Sequence, residues 1–346
     1  MTDPLIHLIA LLITFVVATL SRHRWNAALL TGSGAVFLWI LSPLAAVFVA
    51  AMGVEAIILV YALKLRPRND AWRKYLPYIL LPNFLFVDFH SDLLGFNIQT
   101  LAISFSTIRI FMTTKQLLSC RTPVRVADAP WLFVAGFYLP ALIVGPVFSA
   151  TTLRDQETSG SMASIDLSAH TNLLLGLILA LLVSPTLVNC AILAGAIGPY
   201  GLPLEMVFRF LNLFAAFWGQ SLIAEQSARF FGHSIPQNFD KPWLARDIRE
   251  FWARWHRSMA QFVTQYIYLP LTLKKVPARV ATIGAFLFMG IWHNLSLGYA
   301  IWGAAHGILL AYWPTGERAR RFVVLERAVL VIAVVGLSYT ANYAGV

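Results

Sequence analysis

Charge is what this chain has least of. Asp, Glu, Lys and Arg make up 12% of its 346 residues, about half the share of an ordinary soluble domain. Hydrophobic residues make up 58%, and the mean hydropathy is +0.69. A soluble domain carrying one anchor is excluded, because apolar runs recur from Leu5 to Tyr343 with no polar stretch between them long enough to build a globular core. Cysteine is nearly missing. Cys120 and Cys190 are too few and too far apart for a disulfide framework or a metal cluster, so they read as packing residues. No repeat period, low-complexity tract or linker stands out. The first apolar run, Leu5 to Leu20, has no basic segment ahead of it and no small-residue cleavage pattern before Arg22, which predicts a first membrane span and no signal peptide.

Acidic residues are scarcer still, 16 against 26 Lys and Arg, giving a net charge of +10. In a soluble protein that balance would suggest nucleic acid. Here the cations collect in short loops between apolar runs, as the positive-inside rule expects, so the charge reports orientation. Arg22 and Arg24, the group from Lys64 to Lys74, then Lys115, Arg121 and Arg125, the region from Lys241 to Arg279, and Arg318 to Arg327 are all expected on the cytoplasmic side. The loop 149–169 carries Asp155, Glu157 and Asp166 against Arg154 alone. It is the best candidate for an outside segment, and the N-terminus then also lies outside.

A hydrocarbon core about 30 Å thick takes about 20 apolar residues per helix. By that measure residues 4–20, 44–63, 129–149, 203–224 and 322–343 are clear spans. Segments 27–42, 77–89, 97–114, 171–186, 187–200, 280–296 and 297–313 are shorter or interrupted by Pro, Gly or polar residues. Broken helices at membrane depth are tolerated only where protein or a water-filled cavity covers the backbone. The expectation is an all-α integral membrane protein with about 10–12 transmembrane or re-entrant helices, organised as one polytopic domain over residues 1–346.

Two histidines stand out in this apolar background, because an ionisable group at membrane depth costs roughly 2.5 kcal/mol or more unless a cavity or partner stabilises it. His256 lies in DIREFWARWHRS. The segment containing it is expected to be an amphipathic helix opened by Pro242, with Trp243, Ile248, Phe251, Trp252 and Trp255 at helical intervals and Arg246, Asp247, Arg249, Glu250 and Arg254 on much of the remaining circumference. A resting place on the membrane surface explains that composition as well as any chemistry does. His293 lies between Trp292 and Asn294, near the end of an apolar run that starts at Ala281, and is expected to be hydrogen-bonded or to line a cavity. His306 sits among Gly303, Ala304, Ala305 and Gly307; small residues permit close helix packing, which favours a structural imidazole bonded to a neighbouring helix.

DIREFWARWHRSMAQFVTQYIYLPL followed by GIWHNLSLGYAIWGAAHGILLA resembles the membrane-bound O-acyltransferase superfamily, in the bacterial branch that modifies alginate and teichoic acid. LAISFSTIRIF (101–111) is similar to that branch's GISF-type helix and PALIVGPVFSATTLRDQ (140–156) to its GPI-type segment, so the family-like core covers about 75–313. The resemblance implies helices arranged around a central funnel or tunnel, with the family's invariant histidine at His293 and its second polar position at His256. It also implies an acyl thioester arriving from the cytoplasm, either acetyl-CoA or an acyl-carrier protein's phosphopantetheine, with no tightly bound cofactor, no metal and no nucleic acid. The acceptor hydroxyl would belong to, or lead to, a cell-surface polysaccharide outside a bacterial inner membrane, and a separate extracytoplasmic acyltransferase partner fits that scheme.

Imidazole has an unperturbed pKa near 6.5 and accepts a hydroxyl proton near neutral pH. His293 is therefore the expected general base, with His256 stabilising an oxyanion or orienting the acyl group. Trp252, Trp292, Asn294 and His306 are candidate tunnel-lining residues, and Arg249 and Arg254 candidate contacts for the donor's phosphates. Asn294 stands where this branch commonly has Gly. A transporter or flippase would also show broken helices and intramembrane histidines, and a scaffold subunit of a polysaccharide-modifying complex would leave the histidines without a task.

Overall fold

The computed structural model describes residues 4–20, 26–64, 75–84, 98–119, 126–160 and 167–313. The span expected at 322–343, Cys120, and the basic residues Arg22, Arg24, Arg66 to Lys74, Arg121, Arg125 and Arg318 to Arg327 lie outside them. The described residues are helical or irregular, with no strand among them. The helices are α1 Pro4–Leu20, α2 Asn26–Leu41, α3 Pro43–Lys64, α4 Ile98–Ser119, α5 Pro130–Phe137, α6 Thr151–Ser159, α7 Leu167–Ile178, α8 Ser184–Gly195, α9 Leu202–Phe230, α10 Ile248–Arg254, α11 Arg257–Val263, α12 Leu269–Leu273, α13 Ala278–His293 and α14 Leu297–Tyr312. Pro43–Leu63, Leu167–Gly195 and Leu202–Phe230 are long and apolar enough to cross a membrane, and four further apolar helices are shorter. The chain is an all-α membrane protein.

Two of the boundaries differ from the sequence expectation. Residues 171–186 and 187–200 read as separate segments, but α7 continues into α8 past Pro185 through a π-helical turn, Leu179–Val183. A proline lacks the N–H for an i→i−4 bond and its ring crowds the preceding turn; widening that turn lets the helix run through Pro185. The clear span expected at 129–149 is broken instead. α5 stops at Phe137, Tyr138 is extended (φ −61°, ψ 100°), a 3₁₀ turn covers Leu139–Ala141, and irregular backbone follows to Ala150.

The chain divides into two compact units, one of Met1–Leu175 with Gln220–Pro236, the other of Gly176–Gly219 with Gln237–Val346. In the first, α3, α4 and α5 pack on one another, with α2 against α3 and α5. The break after α5 frees carbonyls in a fully buried setting, and α4 supplies the donors. Arg109, wholly buried, donates from Nε to the Ala135 carbonyl (2.9 Å), from Nη1 to that of Ala141 (2.5 Å) and from Nη2 to Ser106 Oγ (3.2 Å). Ser106 Oγ donates to the Gly136 carbonyl (2.7 Å), and the Ala150 N–H donates to Thr113 Oγ1 (2.9 Å). The two upstream motifs, 101–111 and 140–156, are thus bound directly to each other.

A second buried node in this unit joins four segments that the sequence does not flag. Tyr138 Oη and His233 Nδ1 are 2.9 Å apart, His233 Nε2 and Glu157 Oε1 3.1 Å, and the same Glu157 oxygen accepts the Ala27 N–H at the start of α2 (3.0 Å). Asn26 Nδ2 donates to the Phe231 carbonyl, and Gln156 exchanges two hydrogen bonds with the Ser234 backbone. In the second unit the most extensive packing is that of the antiparallel pair α13 and α14. Gly303 is there because a Cβ would fall 2.5 Å from the Phe286 carbonyl oxygen, and at Gly307 one would fall 2.8 Å from Ile283 Cα. The small residues around His306 therefore do bring two backbones together.

Replacing Arg109 by Met should strand the Ala135 and Ala141 carbonyls without donors and lower stability by about 2–5 kcal/mol, read as the unfolding midpoint in detergent micelles; Arg109→Lys should fall between Met and wild type. Burial opposes charge on the Glu157 carboxylate, but the bonds from His233 and the Ala27 N–H outweigh it and hold this carboxyl below the usual carboxylate range. A depressed carboxyl contributes stability that is complete above the ordinary carboxylate pKa of about 4.3 and is lost as pH falls through the lower folded value. The melting temperature of the wild type should accordingly fall more steeply below about pH 4.3 than that of Glu157→Gln, measured across a pH series.

Candidate functional site

The segment 238–273 is where sequence and structure diverge most usefully. Its pattern predicts one interfacial helix around Trp243 to Trp255. It is instead a 3₁₀ turn at Pro242–Leu244, the two-turn helix α10, a break at Trp255 and His256, then α11, a π-helical turn Thr264–Tyr268, and α12. α10 is well capped: Asp247 accepts the Glu250 N–H (2.8 Å), and Glu250 accepts the Arg246 N–H (2.9 Å). Hydrogen bonds from the Arg246 backbone and side chain and from Arg254 hold the Glu250 carboxyl down at about 2. Trp252 and Phe251 are buried rather than set at headgroup depth, whereas Trp243 is half exposed.

The break has a local cause. Asn238, fully buried, accepts the Arg257 N–H with its carbonyl (2.9 Å) and the Ser258 hydroxyl with Oδ1 (2.6 Å), so the chain is turned between the two helices. His256 takes the bend in the left-handed region, φ 44° and ψ 51°. That conformation costs a non-glycine residue of order 1–3 kcal/mol and persists where surrounding structure enforces it, often at a functional position. The imidazole is buried, with the Phe217 ring edge-on at 4.7 Å and the Trp292 ring at 6.3 Å. Phe210, Phe214 and Phe217 recur along one face of α9, and Trp255 packs on all three, so aromatic stacking fixes the residue beside His256 as well.

His256 lines a cavity of about 290 Å³. Its walls are one face of α11 and the π turn (Ala260, Thr264, Tyr268), one face of α13 (Thr282, Phe286, Met289), Trp252 of α10, and Leu310 of α14. The repeat of four and eight residues on the first wall and of four and seven on the second is the spacing of neighbours along one helix face. The cavity therefore runs along a helical hairpin, with His256 and Met289 toward one end and Tyr268 and Thr282 toward the turn that joins α12 to α13. Sequence inspection misses Asn238, Thr264, Tyr268 and Met289; none carries a charge, and only the helical spacing of Thr264 and Tyr268, and of Met289 with Phe286 and Thr282, could have signalled the last three.

His293 is the last residue of α13, ended by the extended Asn294 (φ −165°, ψ 138°). It is exposed and is not among the cavity-lining residues, where its sequence context predicts a cavity wall or a hydrogen bond. Among the described residues its neighbours are rings: Trp292 at 4.8 Å, Tyr299 at 5.8 Å and Trp302 at 5.6 Å. Trp292 thus touches both histidines. His306 is fully buried, its Nδ1–H donating to the Trp302 carbonyl one turn back (3.0 Å), with Trp302 and Trp252 against its ring. Its bond is to its own helix rather than to a neighbouring one. Arg249 donates to the Leu310 and Trp313 carbonyls (3.3 and 3.1 Å) and so closes the C-terminal end of α14; Arg254 is engaged with Glu250 and the Asp240 carbonyl.

Residues 203–314, about a third of the chain, match the model of the MBOAT, membrane-bound O-acyltransferase family. The chain is similar to the "Peptidoglycan O-acetyltransferase" of Helicobacter pylori, 34% identical over 113 residues, which are 32% of this chain and 21% of that protein. It is similar to the "Teichoic acid D-alanyltransferase" of Bacillus subtilis, 30% identical over 144 residues, 39% of this chain and 35% of the relative. It is also similar to the "Probable alginate O-acetylase" of Pseudomonas syringae pv. tomato, 33% identical over 190 residues, 52% of this chain and 36% of the relative. The similarity spans between a fifth and two fifths of the length of these curated relatives.

The left-handed backbone at His256 gives a test in which the side chain and the conformation separate. Glycine keeps φ near +44° without strain, whereas alanine loses the imidazole and keeps the strain. His256→Gly should be more stable than His256→Ala by about 1 kcal/mol, compared by thermal unfolding in the same detergent; equal stability would mean that the bend is not enforced.

Proposed function

We propose, with residues 203–314 as a membrane-bound O-acyltransferase domain, that the protein moves an acyl group, acetyl in our reading, from a cytoplasmic thioester to a hydroxyl on the far side of a bacterial inner membrane. The acceptor belongs to, or leads to, a cell-surface polysaccharide. The observation that carries this reading is His256, held in a strained conformation on the wall of an apolar cavity and joined through Trp292 to the exposed His293. Ligand pockets are typically about 300–1,000 Å³. The cavity sits at the bottom of that range, which suits the acyl-thioester end of a donor and not a whole coenzyme.

In the proposed reaction His293 accepts the proton of the acceptor hydroxyl as its oxygen attacks the thioester carbonyl carbon. A carbon–oxygen bond forms, the carbon–sulfur bond breaks, and the proton passes from the imidazolium to the departing thiolate, so the products are an ester and a thiol. His256 orients the acyl group or donates to the developing oxyanion. No acyl-enzyme is needed and no tightly bound cofactor takes part. Trp252, Trp292, Asn294 and His306 shape the route, and the funnel implied by the resemblance would be the path by which donor and acceptor meet. A separate extracytoplasmic acyltransferase completes the transfer if the immediate acceptor is an intermediate.

Purified protein in proteoliposomes with labelled acetyl thioester tests this. His293→Ala should lower turnover by about 10²–10⁴ while leaving the melting temperature within a few degrees, because the exposed ring supports no hydrogen bond among the described residues. His256→Gly should also lose turnover. Wild-type rates in His293→Ala would remove the general-base assignment. Movement of a solute without an acylated product would instead favour a transporter.

A further inference from the structure

The cavity, about 290 Å³ with no Lys or Arg in its lining, is too small for a whole phosphorylated thioester donor, so a donor whose acyl end enters it would leave its phosphate to groups beyond the lining. Residues 251–316 contain Arg254, Arg257, Lys274, Lys275 and Arg279 and no Asp or Glu. Most of the cations near the cavity are already engaged: Arg246 and Arg254 with Glu250, Arg257 with Asp240 at 4.0 Å, and Arg249 with the end of α14. Lys275 and Arg279 are exposed and have no carboxylate partner among the described residues.

Both lie where the cavity-lining hairpin turns. The Lys275 N–H donates to the Thr272 carbonyl (2.9 Å) and the Val276 N–H to that of Leu271 (3.1 Å), which closes α12 and leaves Lys275 in the left-handed region at φ 64°. Arg279 is the second residue of α13, three residues before the cavity-lining Thr282, and its guanidinium stands 4.8 Å over the Tyr312 ring, two residues beyond the cavity-lining Leu310. Residues three apart on a helix are neighbours. Arg279 is thus stacked on Tyr312 and one helical turn from Thr282, and a planar guanidinium held in this way suits a phosphate's paired oxygens.

We propose that Lys275 and Arg279 bind the phosphate that precedes the pantetheine arm of the donor, so that the arm enters the cavity toward His256. This rests on the acyltransferase reading and narrows it to phosphopantetheine thioesters, whether free coenzyme or carrier-bound. A lysine in the left-handed region where glycine would fit without strain is consistent with a side chain kept for its charge.

Equilibrium binding to purified, detergent-solubilised protein tests the proposal without requiring turnover. The probes are pantetheine, 4′-phosphopantetheine and coenzyme A; the proteins are wild type, Lys275→Gly, which removes the cation and relieves the backbone, and Arg279→Gln. Wild type should bind phosphopantetheine about ten-fold or more tightly than pantetheine. Each variant should reduce that ratio, and the double variant should bring it close to one with pantetheine binding unchanged. Coenzyme A binding well above phosphopantetheine would identify the free coenzyme as the source, and equal binding the carrier-type arm. No preference for the phosphorylated probe in wild type, or an unchanged preference in the folded double variant, overturns the assignment. Retained phosphate preference with no acyl transfer from any of the corresponding acetyl thioesters would leave the phosphate site standing and sink the acyltransferase reading.

Discussion

The constraint on which the rest of the structure depends is that a backbone leaving helical geometry inside an apolar protein must find hydrogen-bond partners within the protein. In the unit of Met1–Leu175 with Gln220–Pro236 the chain leaves helix after Phe137, and a fully buried arginine on α4 supplies the donors that the break requires. In the other unit the chain leaves helix at Trp255, and a fully buried asparagine receives the Arg257 N–H and the Ser258 hydroxyl. Each break places a polar group where a continuous helix would have buried it against its own backbone. The cost of irregularity is offset by Arg109, Ser106 and Thr113 at the first break and by the backbone and side chain of Asn238 at the second, and the site is built on the latter.

The same constraint explains what is legible in the sequence and what is not. Helices α1, α3 and α9 are readable within a few residues because length and hydropathy are enough to define a continuous span. The break after Phe137 is hidden by the apolar length of 129–149, although Pro140 marks it by lacking the N–H of an i→i−4 bond; the donors that satisfy it, on Arg109, are 26 or more residues away in sequence. Pro185 fails in the opposite sense, since a π turn absorbs the proline and no composition signal marks such a turn. The two histidines are legible as polar residues in apolar context. Their different placements are not: the one in the charged segment is buried at a cavity wall, and the one in the apolar run is exposed at a helix end.

The arginines are a case in which charge alone leaves the role open. Arg249 and Arg254 sit beside His256 in sequence and so invite a donor-binding reading, yet both have local work in the fold, at the end of α14 and with Glu250. Withdrawing an arginine from a helix C-terminal carbonyl to bind phosphate would leave that carbonyl unsatisfied. The cations with fewer obligations lie farther along the chain, at the turn of the hairpin whose faces line the cavity.

The placements of His256 and His293 bear on how one site could serve two substrates. A group on the wall of an apolar cavity can position an acyl thioester away from water, where hydrolysis would compete with transfer. A base that must take a proton from a polymer or polymer-linked hydroxyl cannot be shut into the same cavity, because the acceptor has to reach it. A buried His256 and an exposed His293, each with its ring near that of Trp292, would meet those two requirements in the proposed reaction. Such an arrangement makes the ring of Trp292 more than filler. In the proposed reaction its size would bear on how near the acyl carbon and the attacking oxygen approach.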